Sequence, residues 1–131
     1  MAATDPARAG HLLASLGRLS ADAEGFDLRP EPDSQEIPDA RGHDETWADV
    51  LRLQREGVEP AAFRTITGPV LMLHGEQDPH PGPATRDLLR GYVPQLEYRS
   101  FESCGHEPWR ERLARDAFLG ALIEWLAIHS G

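Results

Sequence analysis

Two short stretches of this chain set proton-transferring side chains just beyond apolar or glycine-bearing runs. In Val70-Leu71-Met72-Leu73-His74-Gly75-Glu76-Gln77-Asp78-Pro79, four apolar residues lead into a glycine and then an acid. In Ser103-Cys104-Gly105-His106-Glu107-Pro108-Trp109, a glycine precedes a histidine. Histidine loses and regains a proton near neutral pH, and a buried carboxylate beside it fixes its tautomer and stabilises the imidazolium. Asp78 and His106 suit the roles of acid and base. Gly75 and Gly105 are expected to let each loop turn sharply.

Other reactive side chains support blander readings. Cys104 lies two residues before His106, too close in one loop for in-line attack, and reads as an inert core thiol. His74, Asp78 and His80 are close in sequence, but prolines on both sides of His80 and the lack of a helical spacing argue against a metal site. No metal and no cofactor are therefore expected, and His80 reads as a surface loop residue beside a possible pocket. Trp47, Trp109 and Trp125 suit core or interface packing, and Trp109, just after the histidine, also suits a pocket wall. His43-Asp44 is taken as a helix cap.

The elements that must position these residues follow from pattern and punctuation. Asp5-Pro6 is a helix start, Leu12, Leu13, Leu16 and Leu19 share one helical face, and Ser20 and Gly25 mark the end. Phe26 to His43, with Pro30, Pro32 and Pro38, is expected to be an extended linker or lid loop. Asp44 or Thr46 can cap a second helix running to Gly57, with Trp47, Val50, Leu51 and Gln54 at helical spacing. Glu59-Pro60 opens a helical turn through Phe63.

Val70 to Leu73 is a strand of the kind buried on both faces in a parallel sheet. Pro83 to Leu89 is a helix stopped by Gly91, and Leu96 to Phe101 alternates as a second strand. From Pro108 to Ser130 a single amphipathic helix is expected, with Leu113, Ala117, Ala121, Leu122, Trp125 and Leu126 on its apolar stripe. Arg110, Glu111, Arg115 and Glu124 fall largely off that stripe.

A strand ending in an acid, a helix, a second strand, and a Gly-His before a covering helix is the order in which a triad's acid and base arrive in one fold. From about Ile66 onward the chain resembles the last third of an α/β-hydrolase. The resemblance implies a truncated α/β-hydrolase-like fold, with two parallel strands flanked by helices (66–131) and a helical cap-like segment with its linker (1–65). It makes Asp78 the triad acid and His106 the base. That family places its serine nucleophile on a Gly-x-Ser-x-Gly turn earlier in the chain, and no such motif occurs here. Ser15 falls mid-helix, Ser20 at a helix end and Ser34 in the proline-rich loop.

Taken as an expectation, the chain is the C-terminal segment of a serine-type hydrolase acting on a small acyl substrate, from a natural half-enzyme or a shortened reading frame. It would be inactive alone. The alternative is a non-catalytic interaction module. Two strands are too few for an independent sheet, so a homo-oligomer or a separately encoded N-terminal half is the expected partner.

Composition narrows the remaining classes. The net charge is -9 and all 13 basic residues are arginine, which argues against a nucleic-acid partner, because such binding needs a concentrated basic face. No apolar run reaches the roughly 18 residues of a membrane span, so no membrane association is expected. A single cysteine leaves no internal disulfide, and the leucines near the start are interrupted by Arg8, His11 and Arg18, unlike a signal peptide. A cytoplasmic location is expected.

Overall fold

Asp5 accepts a hydrogen bond from the Ala7 N–H at 3.0 Å, and Pro6 supplies a pre-set first turn for helix α1, Pro6–Glu24, which ends at Gly25. A computed structural model describes residues 5–32 and 36–130, so Ser34 lies outside the described residues. Helix α2 spans Ala40–Arg55, and a 3-10 turn at Ala61–Thr65 leads to strand β1, Val70–Gly75. Helix α3, Gly82–Arg90, crosses to strand β2, Leu96–Phe101, and helix α4, Arg115–His129, follows a 3-10 turn at Pro108–Arg110.

The described residues thus form a mixed α/β domain with one sheet of two parallel strands. Its register runs from Val70 opposite Leu96 to Gly75 opposite Phe101. Both strands end level, so the loops that follow them leave the sheet side by side. The strand, helix, strand unit agrees with the sequence pattern, but Val70 to Leu73 is half-buried rather than enclosed on both faces. The buried hydrophobic side chains among the described residues are Val93, Leu96, Cys104 and Ala114.

Two helix boundaries differ from expectation. Asp39 caps α2, accepting from the Arg41 N–H at 3.1 Å, so His43 and Asp44 lie within the helix. The earlier acid prevails because its carboxylate reaches the first free N–H two residues on. Trp47 is 59% exposed, which removes it from the core.

The expected continuous helix from Pro108 is broken, and α4 begins only at Arg115. Leu113 is correspondingly outside the helix and 69% exposed. The cause is Glu111. Its backbone forms an antiparallel bridge with Leu28, and its carboxylate accepts from Phe26 N–H at 2.9 Å, Asp27 N–H at 2.7 Å and Gly105 N–H at 2.8 Å. Flanking bonds from Arg29 N–H to the Arg110 carbonyl (2.8 Å) and from Arg112 N–H to the Asp27 carbonyl (3.0 Å) extend the seam.

A helical Glu111 would commit that backbone to its own turn and aim the carboxylate elsewhere. Glu111, read from spacing as a residue off the apolar stripe, is instead fully buried. Beyond this seam, α4 covers β2. Phe118 meets Phe101 edge to face at 6.0 Å, Glu124 pairs with Arg99 at 2.8 Å, and the Trp125 indole donates to Glu97 at 3.1 Å.

An unpaired buried N–H costs about 1–3 kcal/mol, and Glu111→Ala would strand the buried Gly105 N–H and the part-buried N–H groups of Phe26 and Asp27. The expected loss is on the order of 3 kcal/mol, read from the urea midpoint at constant slope. A change within a few tenths of a kcal/mol would show that the seam carries no stability.

Candidate active site

The two loops that leave the sheet are stapled to each other before any reactive group is reached. Glu76 N–H donates to the Phe101 carbonyl at 2.9 Å, Gln77 N–H to the Cys104 carbonyl at 2.9 Å, and Cys104 N–H to the Gln77 side-chain oxygen at 2.8 Å. The loops approach so closely that a Cβ on Gly75 would collide with the carbonyls of Cys104 and Gly105. A Cβ on Gly105 would collide with the Glu24 carbonyl and crowd Gly25.

Neither glycine has a positive φ, so the expected sharp glycine turns are not what these residues provide. They provide room. The left-handed residue of the histidine loop is Ser103, at φ 51°, a conformation that disfavours a side chain and persists because the surrounding bonds enforce it.

This close approach brings the expected pair together. Asp78 Oδ2 lies 2.8 Å from His106 Nδ1. The carboxylate is almost wholly enclosed, at 4% exposure, whereas the His106 ring is 48% exposed. Asp78 therefore holds Nδ1–H and leaves the Nε2 edge of His106 as the ring's open nitrogen.

His80 is drawn into the same carboxylate. Its backbone N–H and its Nδ1 reach Asp78 Oδ1 at 2.9 Å and 2.8 Å, and its ring lies 4.9 Å from that of His106. His74 closes the rear of the loop, with Nε2 donating to the His80 carbonyl at 3.1 Å and Nδ1 at 3.7 Å from Asp78. Glu24, at the end of α1, was not among the sequence candidates; its carbonyl accepts from His106 N–H at 3.0 Å. No periodicity links it to a histidine so far along the chain; this bond and the Glu111 seam bring it near.

A hollow of about 410 Å³ opens beside Asp78, walled by His74, Glu76, His80, Arg86, Tyr98 and Ser100. Arg86 lies over the Tyr98 ring at 5.0 Å. A larger cleft of about 850 Å³ lies between α1 and residues 28–32, lined by Leu13, Leu28, His43 and Arg110 among others, and neither Asp78, His80 nor His106 borders it. The smaller hollow borders Asp78 and His80, while His106 lies outside its lining. Trp109 stands against Phe118 at 6.2 Å and is half-exposed; it does not line the hollow beside Asp78.

Burial alone would raise the Asp78 pKa, but the His80 backbone N–H and the His106 and His80 rings outweigh it, and the net shift is downward. The hydrogen bond to Asp78 raises the His106 pKa against partial desolvation, helped by the charges of Asp78, Glu24 and Glu107. For Cys104, burial and the neighbouring charges of Glu111 and Asp78 push the thiol up to about 11, which keeps it protonated and agrees with an inert core role.

Comparison with protein-family models, with curated proteins and with solved structures finds no match to this chain. The site therefore rests on its own geometry.

Proton linkage fixes a pH window. His106, raised above its ordinary 6.5, contributes stability that is complete below about pH 6.5 and lost as pH climbs through its folded value. Asp78, lowered beneath 3.8, contributes stability present above 3.8 and lost as pH falls through its folded value. In an NMR titration His106 should ionise above 6.5 in the native chain and move down in Asp78→Asn. An unmoved midpoint in that variant would disprove the coupling.

Proposed function

We propose that this chain is an α/β-hydrolase-like segment carrying the acid and base of a serine-type hydrolase, and that it does not cleave acyl bonds by itself. The observation that carries the reading is the 2.8 Å bond from His106 Nδ1 to the enclosed Asp78, at the C-terminal ends of adjacent parallel strands. Open α/β sheets build their sites at those strand ends.

In a completed site, Nε2 of His106 takes the proton of a serine hydroxyl as its oxygen attacks the carbonyl carbon of an ester. Asp78 stabilises the imidazolium, and the proton then passes to the departing alcohol. Two backbone amides would hold the oxyanion. These 131 residues contain no Gly-x-Ser-x-Gly turn, so the serine belongs to a complementing segment.

The chain alone should show neither labelling by a fluorophosphonate probe nor ester turnover above that of His106→Ala. Turnover that disappears in His106→Ala would reject the inactive-alone reading and make the chain an enzyme in its own right.

A second reading, a self-associating interaction module, is favoured by apolar side chains left exposed around α4. Ile123, Leu126 and Ile128 on α4 are 66%, 48% and 66% exposed, beside a sheet of half-buried strands. Size-exclusion chromatography with light scattering should give a dimer at micromolar concentration; a monodisperse monomer would remove this reading.

A further inference from the structure

Asp78 does for two histidines what a triad acid does for one. Its two oxygens each accept one imidazole Nδ1–H at 2.8 Å, from His80 on one side and from His106 on the other. With both protons held at Nδ1, both rings carry the Nε2 lone pair, and the rings lie 4.9 Å apart on the exposed side of the carboxylate. A third donor group lies close to the two rings. Ligand atoms of Glu24, His80 and His106 all lie within 4.8 Å of one another, and Glu24 is close enough for its charge to act on His106.

We propose that Glu24, His80 and His106 form a binding site for a divalent transition metal of the zinc class, with Asp78 as the outer carboxylate that orients both imidazoles. This set differs from the sequence cluster His74, Asp78 and His80. Asp78 is withdrawn from the ligands because both its oxygens are engaged, and His74 is withdrawn because its Nε2 bonds the His80 carbonyl. Two imidazoles and one carboxylate are the donor set that catalytic zinc favours, with a remaining position left open. A carboxylate on the far ring nitrogen is the usual outer partner of a metal-bound histidine, raising its basicity and fixing its direction.

Tetrahedral zinc needs donor atoms about 3.4 Å apart. Closing from 4.8 Å requires modest pivots of two exposed rings about their Asp78 bonds and a swing of the Glu24 side chain. The seam through Glu111 already holds the end of α1 against the histidine loop.

The proposal does not depend on the hydrolase reading, and it makes a separate demand. Metal on Nε2 of His106 occupies the nitrogen that serine deprotonation needs, so the two uses exclude each other.

The test is calorimetric titration of the full chain with zinc chloride in a non-chelating buffer. One ion per chain is expected, with affinity reduced at least tenfold in Glu24→Gln, His80→Ala and His106→Ala, and by about 10–100-fold in Asp78→Asn. His43→Ala, an exposed histidine on α2, should bind as the native chain does. Should a variant unfold, imidazole nitrogen spectra of the native chain replace it: zinc should shift Nε2 of His80 and His106 and leave His43 in place. Undiminished affinity in Glu24→Gln, or unshifted Nε2 signals, would overturn the site. Neither readout uses an ester or a serine probe, so a catalytically silent chain leaves the result unaffected.

Discussion

A carboxylate fully buried among backbone amides organises this molecule. Glu111 meets three N–H groups, two from the segment after α1 and one from the histidine loop, and the two sides of that clamp are 85 and 84 residues distant from it on one side and 6 on the other. Desolvating a carboxylate is costly, and charge-assisted bonds to N–H groups are the strong kind that can offset it. Remove the clamp and the N-terminal helices keep only the His106–Glu24 backbone bond to the loop that carries His106, with the flanking bonds at Arg110 and Arg112 beyond it. The break before α4, the arrival of Glu24 beside His106 and the enclosure of Gly105 all follow from it.

The local elements were legible in the residues, because each is set by short-range rules. Asp5-Pro6 and Gly25 bound α1, the apolar run at Val70 to Leu73 makes β1, and Leu96 to Phe101 makes β2, each as punctuation and periodicity indicate. Asp78 and His106 were legible as candidate acid and base, since each sits just past the end of a strand, but their contact was not, because nothing local fixes the distance between the two loops. What was not legible depends on contacts far apart along the chain. Glu111 looks in sequence like any exposed helical acid between two arginines, and its three N–H partners have no signature. The same holds for His80, whose place on the second oxygen of Asp78 arises from a two-residue turn that any Asp-Pro-His could adopt or refuse.

Asp78 shows how one group can prepare a site for more than one chemistry. A carboxylate has two oxygens, and here each holds a different imidazole, the two rings 4.9 Å apart. The arrangement suits proton transfer at one nitrogen and ligation at two. Both proposed uses draw on this one arrangement and neither needs Asp78 to rearrange. The depressed pKa of Asp78 keeps the carboxylate charged in either case.

Gly75 carries a consequence for how the protein tolerates change. The carbonyls of Cys104 and Gly105 occupy the place where any side chain would begin, and those carbonyls belong to backbone that the loop staples immobilise. Every missense change of a glycine codon adds at least a Cβ. The position is therefore closed to all nineteen alternatives at once, the smallest included. A mutational scan across the chain would find the exposed leucines of α1 permissive and this last residue of β1 among the least forgiving.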